Sequence, residues 1–174
     1  MTPLPTASAE SETTALDELL EKHGAAVRRL ASLFERSRAD RDDLVQDIWL
    51  AVWRAWPRFR SEASERTFVL RIAHNRAVSY VCQRHPQHHD LAAAADVADA
   101  AAGPERRLAS RQEAERLLEA LRTLPLVSRQ VMSLSLEGLA QREIADVLGT
   151  SESNVAVRLH RARAHLRKVL EDAT

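Results

Sequence analysis

Between Arg84 and Arg106 the chain carries no lysine or arginine, and the stretch HPQHHDLAAAADVADAAAGPE offers proline, alanine and aspartate with little to bury. Such a segment gains too little from leaving water to offset the entropy of ordering it. It therefore divides the 174 residues into two blocks, each needing its own small apolar core. The predicted organisation is a disordered tail over 1–14, a helical domain over 15–85, a flexible acidic linker over 86–107 and a second helical domain over 108–174. With 45% hydrophobic residues but only 4 glycines and 4% aromatics, both blocks are expected to be all-α.

The apolar spacing supports helices throughout. Leu16, Leu19, Leu20, Val27, Leu30, Ala31 and Phe34 recur at helical intervals, with a break expected near Gly24. From Asp40 to Trp56, Leu44, Ile48 and Val52 form one stripe, with Val45, Trp49, Trp53 and Trp56 beside it, and the tryptophans are expected in the core. Asp40, Asp42 and Asp43 favour the start of that helix through its dipole, and Pro57 stops it. A polar loop over 58–65 leads to a helix from Thr67 to about Arg84. Beyond the linker, Leu108, Leu117, Leu118, Leu121 and Leu124 resume the pattern up to Pro125. A further helix over Val127–Leu136 then closes at Glu137 and Gly138.

The segment LAQREIADVLGTSESNVAVRLHRARAHLRKVL has the offsets of a helix-turn-helix. Ala145 is small where two helices cross, Gly149 can take the left-handed conformation that ends the first helix, and the Ser151 hydroxyl can cap the second. With Val155, Leu159, Ala162 and Leu166 facing inward, Ser153, Asn154, Val157, Arg158 and Arg161 project from the half of the second helix that enters a major groove. Arginine pairs bidentately with guanine edges or phosphates, so Arg158 and Arg161 are candidate base readers, while Arg163, Arg167 and Lys168 suit the backbone. The formal net charge of +0 excludes bulk attraction to nucleic acid but not such a local basic face.

Cys82 is the single cysteine, which excludes an internal disulfide framework and a cysteine zinc cluster and suits a reducing cytoplasm. No apolar run approaches a membrane span, and the start MTPLPTASAESETT has neither a basic nor an apolar leader segment, so neither membrane insertion nor export is expected. His85, His88, His89 and Asp90 with Cys82 raise a metal-site alternative, but they lack helical H-x-x-x-H or paired-cysteine spacing. No catalytic residue, metal or cofactor is expected.

DRDDLVQDIWLAVWRAWPRF followed by ERTFVLRIAHNRAVSYVCQRH resembles region 2 of sigma-70 family proteins, and LEGLAQREIADVLGTSESNVAVRLHRARAHL resembles region 4. With no intervening region 3, the arrangement is similar to that of the extracytoplasmic-function subfamily. The resemblance implies a transcription initiation factor, not an enzyme, whose partners are core RNA polymerase, promoter DNA and an anti-sigma factor. It implies polymerase docking by Asp43, Gln46 and Asp47, and contact with a −10-like element by Arg66, Arg71, His74, Asn75, Arg76 and Ser79. Contact with a −35-like element is implied for Ser153, Asn154, Val157, Arg158, Arg161 and Arg163. The family's pocket for a flipped base maps to the loop Ser61–Glu65, and its linkers thread through the polymerase cleft. Glu65, Phe68, Leu70 and His74 depart from the residues common at those positions. A sigma-like decoy that only sequesters an anti-sigma factor is the alternative. Such proteins usually carry a receiver domain, for which this chain has no room.

Overall fold

The structure is a computed structural model that describes residues 6–60, 63–84 and 104–171. Among the described residues all regular secondary structure is helical: α1 (Thr6–Phe34), α2 (Arg38–Ala55), a 3-10 turn (Trp56–Arg58), α3 (Glu65–Arg84), α4 (Pro104–Arg122), α5 (Leu126–Leu136), α6 (Gln141–Leu148) and α7 (Glu152–Glu171). The all-α expectation holds. Residues 85–103, with His85, His88, His89 and most of the expected linker, lie outside the described residues, as do Ser61 and Glu62 in the loop before α3.

In the first half, α3 packs against both α1 and α2. The shared core is Leu19, Val27, Leu30 and Phe34 from α1, Leu44, Ile48 and Val52 from α2, and Val69, Leu70, Ala73 and Ala77 from α3. Each fully buried Leu, Ile or Val contributes about 1.5–3 kcal/mol from leaving water. Ser37 caps α2, its Oγ accepting from the Asp40 amide at 3.4 Å, and Asp40 complements the positive end of the helix. Arg84, at the far end of α3, pairs with Asp40 at 2.8 Å and Glu35 at 3.5 Å, so the end of α3 is tied to the start of α2. That pairing holds the Asp40 carboxyl below its ordinary range.

In the second half, α7 packs on α4, α5 and α6. Leu121, Leu124, Val131, Leu134, Ile144, Ala145, Val155, Leu159, Ala162 and Leu166 fill this core, and Leu148 is half-buried at its edge. The two halves also touch, through α1 with α4 and α5 and through α3 with α5.

Four expectations are corrected. Helix α1 begins at Thr6 rather than near Ala15, because Ala7, Ala9, Glu10 and Glu12 are compatible with helix even without an apolar stripe. It also runs through Gly24 without a break. The roughly 1 kcal/mol that a mid-helix glycine costs is outweighed by Leu19, Val27 and Leu30, which lie on one continuous buried face. Helix α4 starts at Pro104, inside the stretch assigned to the linker, with proline's fixed φ suited to a first helical turn. The tryptophans also separate: Trp49 is buried, Trp56 is half-buried and stacks on Phe59 at 4.9 Å, and Trp53 is 45% exposed.

Candidate nucleic-acid interface

The helix-turn-helix forms as its sequence predicts. Gly149 ends α6 at φ 61°, ψ 41°, a left-handed geometry that glycine enters without steric cost. Its amide and that of Thr150 both donate to the Ala145 carbonyl. The Ser151 hydroxyl accepts from the Asn154 amide at 3.2 Å, and the Asn154 side chain donates to Thr150 Oγ1 at 3.0 Å, which fixes the entry to α7. Glu143 caps the start of α6, accepting from the Ala140 amide at 2.9 Å.

Val155, Leu159, Ala162 and Leu166 all face inward. This leaves Ser153, Asn154, Val157, Arg161 and Arg163 exposed and Arg158 half-buried, so the six residues expected to meet a −35-like duplex share the outer surface of α7. Arg167 and Lys168 extend it toward the C-terminus. Arg142, exposed at the start of α6, was not singled out from sequence. The first helix of such a motif crosses the DNA backbone, and that geometry was the available signal for it.

On α3, Arg71, Asn75 and Ser79 stand four residues apart along one exposed face. Arg76 is exposed beside them and reaches Asp47 of α2 at 3.5 Å. His74 is corrected: it is 4% exposed, with its ring edge-on to Phe34, and does not belong to the outward-facing set. Burial holds its imidazole below the ordinary histidine range, and Nδ1 lies 3.4 Å from the Asn75 side-chain oxygen, an arrangement that steadies Asn75 from beneath. Leu70, another departure from the common family residue, is likewise in the core. Arg66 is exposed at its helix surface, but its guanidinium is bound by Glu137 from the other half of the chain.

Around the start of α3, Trp56 and Phe59 before it and Phe68 within it form an aromatic cluster with ring separations of 4.9 Å and 6.0 Å, beside the loop to which the flipped-base pocket maps. Sequence reading placed Trp56 in the α2 stripe and so missed the trio. Asp43, Gln46 and Asp47 are all exposed on α2. Leu50, 41% exposed, continues their face one turn on, and Trp53 beside it lines a cleft of about 250 Å³ with Leu16, Arg54, Trp56 and Pro57. The exposed face of α2 is thus acidic and polar toward its N-terminal side and apolar toward Leu50 and Trp53.

Comparison with known proteins agrees with this geometry. Residues 19–86 match the family model for sigma-70 region 2, and residues 114–166 match that for sigma-70 region 4. The chain is 34% identical over 172 residues to the RNA polymerase sigma factor NccH of Alcaligenes xylosoxydans, covering 95% of this chain and 92% of that one. It is 32% identical over 157 residues to the ECF RNA polymerase sigma factor SigM of Mycobacterium tuberculosis, covering 90% and 77%. Among solved structures, CnrH in complex with the cytosolic domain of CnrY superposes with a TM-score of 0.69 at 29% identity, covering 95% of this chain and 96% of that one. The sigma factor RpoE of Bartonella quintana, in complex with the anti-sigma factor NepR, shares the fold with a TM-score of 0.71 at 18% identity, covering 89% and 96%. On these grounds the chain belongs to the extracytoplasmic-function subfamily of sigma-70 RNA polymerase sigma factors.

Proposed function

We propose that this sigma factor docks on core RNA polymerase through the outer face of α2, centred on Asp43, Gln46, Asp47 and Leu50, and directs it to promoters with −10-like and −35-like elements. The observation that carries the reading is the surface of α7: Val155, Leu159, Ala162 and Leu166 are turned into the helix-turn-helix core, leaving Ser153, Asn154, Val157, Arg161 and Arg163 along the edge that fits a major groove. Arg71, Asn75, Arg76 and Ser79 of α3 then meet the −10-like strand, with Asn75 offering a donor and an acceptor to a base edge. The domain boundaries follow from the same reading, with polymerase and −10 functions before residue 86 and −35 binding from about 104 onward.

The protein itself performs no chemistry in this scheme, because the polymerase catalyses nucleotide addition. A cytoplasmic setting follows from that partnership, and no described helix is long and apolar enough to cross a membrane. An anti-sigma factor belongs to the proposal because CnrH and RpoE were each solved with a bound partner.

Run-off transcription with purified core polymerase, on promoters from the source genome including the one upstream of this gene, tests the reading. Initiation is expected only when the protein is added and is expected to weaken for Asn75→Ala and Arg158→Ala. Polymerase binding without initiation at any promoter would replace it with the decoy reading, and absence of polymerase binding would remove both.

A further inference from the structure

One set of contacts between the two halves gathers on a single acidic residue. Glu137 sits between α5 and α6 and is 4% exposed. Its two carboxylate oxygens accept from Arg29 Nε at 2.8 Å and Nη2 at 2.7 Å, a bidentate pair across 108 residues. Arg66 Nη2 approaches the same carboxylate at 3.3 Å, and Arg66 Nε donates to the Glu137 backbone carbonyl at 2.9 Å. One residue later, the Thr67 hydroxyl donates to Glu143 at 2.6 Å, a bond that holds the Glu143 carboxyl below its ordinary range.

A second set of bonds lies along the end of α1. Arg122 of α4, 3% exposed, donates to the Ser32 carbonyl at 2.6 Å and 2.9 Å and to the Glu35 carbonyl at 3.4 Å. Arg129 of α5 reaches the Leu33 carbonyl at 3.5 Å. These carbonyls belong to the last turn of α1 and the residue just beyond it, where no intrahelical donor remains, and the negative end of the helix dipole favours a guanidinium. Arg36 and Glu119 close this edge with an ion pair at 2.9 Å.

We propose that Glu137 is a latch that holds the sigma factor shut and occupies Arg66, so that the two halves must separate before the start of α3 can take a nucleic-acid phosphate. The proposal rests on the promoter-binding reading of α3 for its consequence, though not for the closure itself. Its physical basis is direct competition. A carboxylate and a phosphate both engage the same planar fork of donors, and Arg66 has most of that fork committed to Glu137. The latch is also releasable. Arg29 and Arg66 side chains are 61% and 44% exposed, so water and salt reach the cations while the carboxylate stays covered.

The test uses the full chain, with spin labels on native Cys82, which is exposed on α3, and on an Ala164→Cys substitution on exposed α7. The wild type is expected to give one compact distance population. Glu137→Gln removes the charge while keeping the size, and Arg29→Glu sets two carboxylates against each other at a site exposed enough to leave folding intact. Both are expected to lower the closed-to-open ratio by about tenfold, the scale of one charge-assisted hydrogen bond, and to broaden the population toward longer distances. Apparent affinity scales with the open fraction, so the concentration giving half-maximal run-off transcription should fall by up to about tenfold.

An unchanged compact distance in both variants would overturn the latch, as would open variants that initiate at the same half-maximal concentration as wild type. If no form of the chain initiates, the promoter-binding reading fails, while the distances still decide whether Glu137 holds the halves together.

Discussion

Replacing glycine by alanine should have opposite effects at two positions of this chain. At Gly149, φ is 61° and a Cβ would meet nothing within 4 Å, so the cost of Gly149→Ala is purely conformational, about 1–2 kcal/mol for an L-residue held left-handed. At Gly24 the backbone is ordinary α-helix and the nearest atom to a new Cβ is Arg28 Nη2 at 3.5 Å, the movable end of an exposed side chain. Gly24→Ala should therefore gain about 0.5–1 kcal/mol by restricting the unfolded chain and improving helix propensity. Small domains shift by roughly 4–8 °C per kcal/mol. Calorimetry of the full chain should thus find Gly149→Ala melting about 6 °C or more lower and Gly24→Ala about 4 °C higher. Gly149→Asn should recover part of the loss, because asparagine tolerates the left-handed region. An unaltered Gly149→Ala would mean that the turn does not impose that φ. A destabilised Gly24→Ala would mean that α1 bends at residue 24 after all.

Other perturbations follow from the same structure. Leu134→Ala, at a residue with 0% exposure, should cost about 2–5 kcal/mol in urea unfolding, and a loss below about 1 kcal/mol would place Leu134 outside the core. Burial keeps His23 and His74 below the ordinary value of 6.5, so the unfolded chain binds protons that the folded chain refuses. Stability should fall as pH drops below about 7 toward the folded-state values, and His74→Leu should flatten the thermal midpoint between about pH 7.5 and 5.5. An unchanged pH profile in that variant would remove His74 from the account. Leu50→Glu, on an exposed α2 position, should leave the melting temperature within about 2 °C and weaken core polymerase binding by about tenfold in a fluorescence anisotropy titration. Unimpaired binding would move the docking surface off that face.

What was legible in the sequence was local. Val155, Leu159, Ala162 and Leu166 announce the inner face of α7 by spacing alone, and Gly149 and Ser151 mark the turn because few residues satisfy those backbone conditions. What stayed hidden depends on partners far along the chain. His74 lies on α3 between outward and inward positions, and its burial is decided by Phe34, forty residues earlier in sequence. Trp53 fits the α2 pattern as well as Trp49 does, yet it stands at the wall of an open cleft with Leu16 of α1 and stays 45% exposed. Glu137 reads as a polar residue closing a helix before Gly138, and nothing within several residues indicates that Arg29 and Arg66 converge on it. Periodicity reports which face of a helix is apolar, whereas charge pairing between separate helices has no periodic trace.

The arginines of this chain serve two competing purposes, and that competition bears on how a factor with no net charge can still discriminate promoters. Arg163, Arg167 and Lys168 lie on an open helix face where a duplex can meet them directly. Arg66, Arg122 and Arg129 have donors on groups of the opposite half, so a stray duplex gains little from them while the chain is shut. The shut protein thus offers a basic face on α7 and, on α3, one from which Arg66 is withdrawn; each is a small interface that binds weakly and loses affinity quickly as salt rises. On the proposed reading, docking of α2 on polymerase would supply the differential interaction needed to favour the open form, if that form sets both DNA-facing helices at the spacing the enzyme fixes. Binding at the second element then becomes intramolecular, and its strength depends on geometry rather than on added charge. Selectivity in this scheme comes from making Arg66, part of the DNA surface of α3, conditional on polymerase, an arrangement that a uniformly basic chain of the same size would lack.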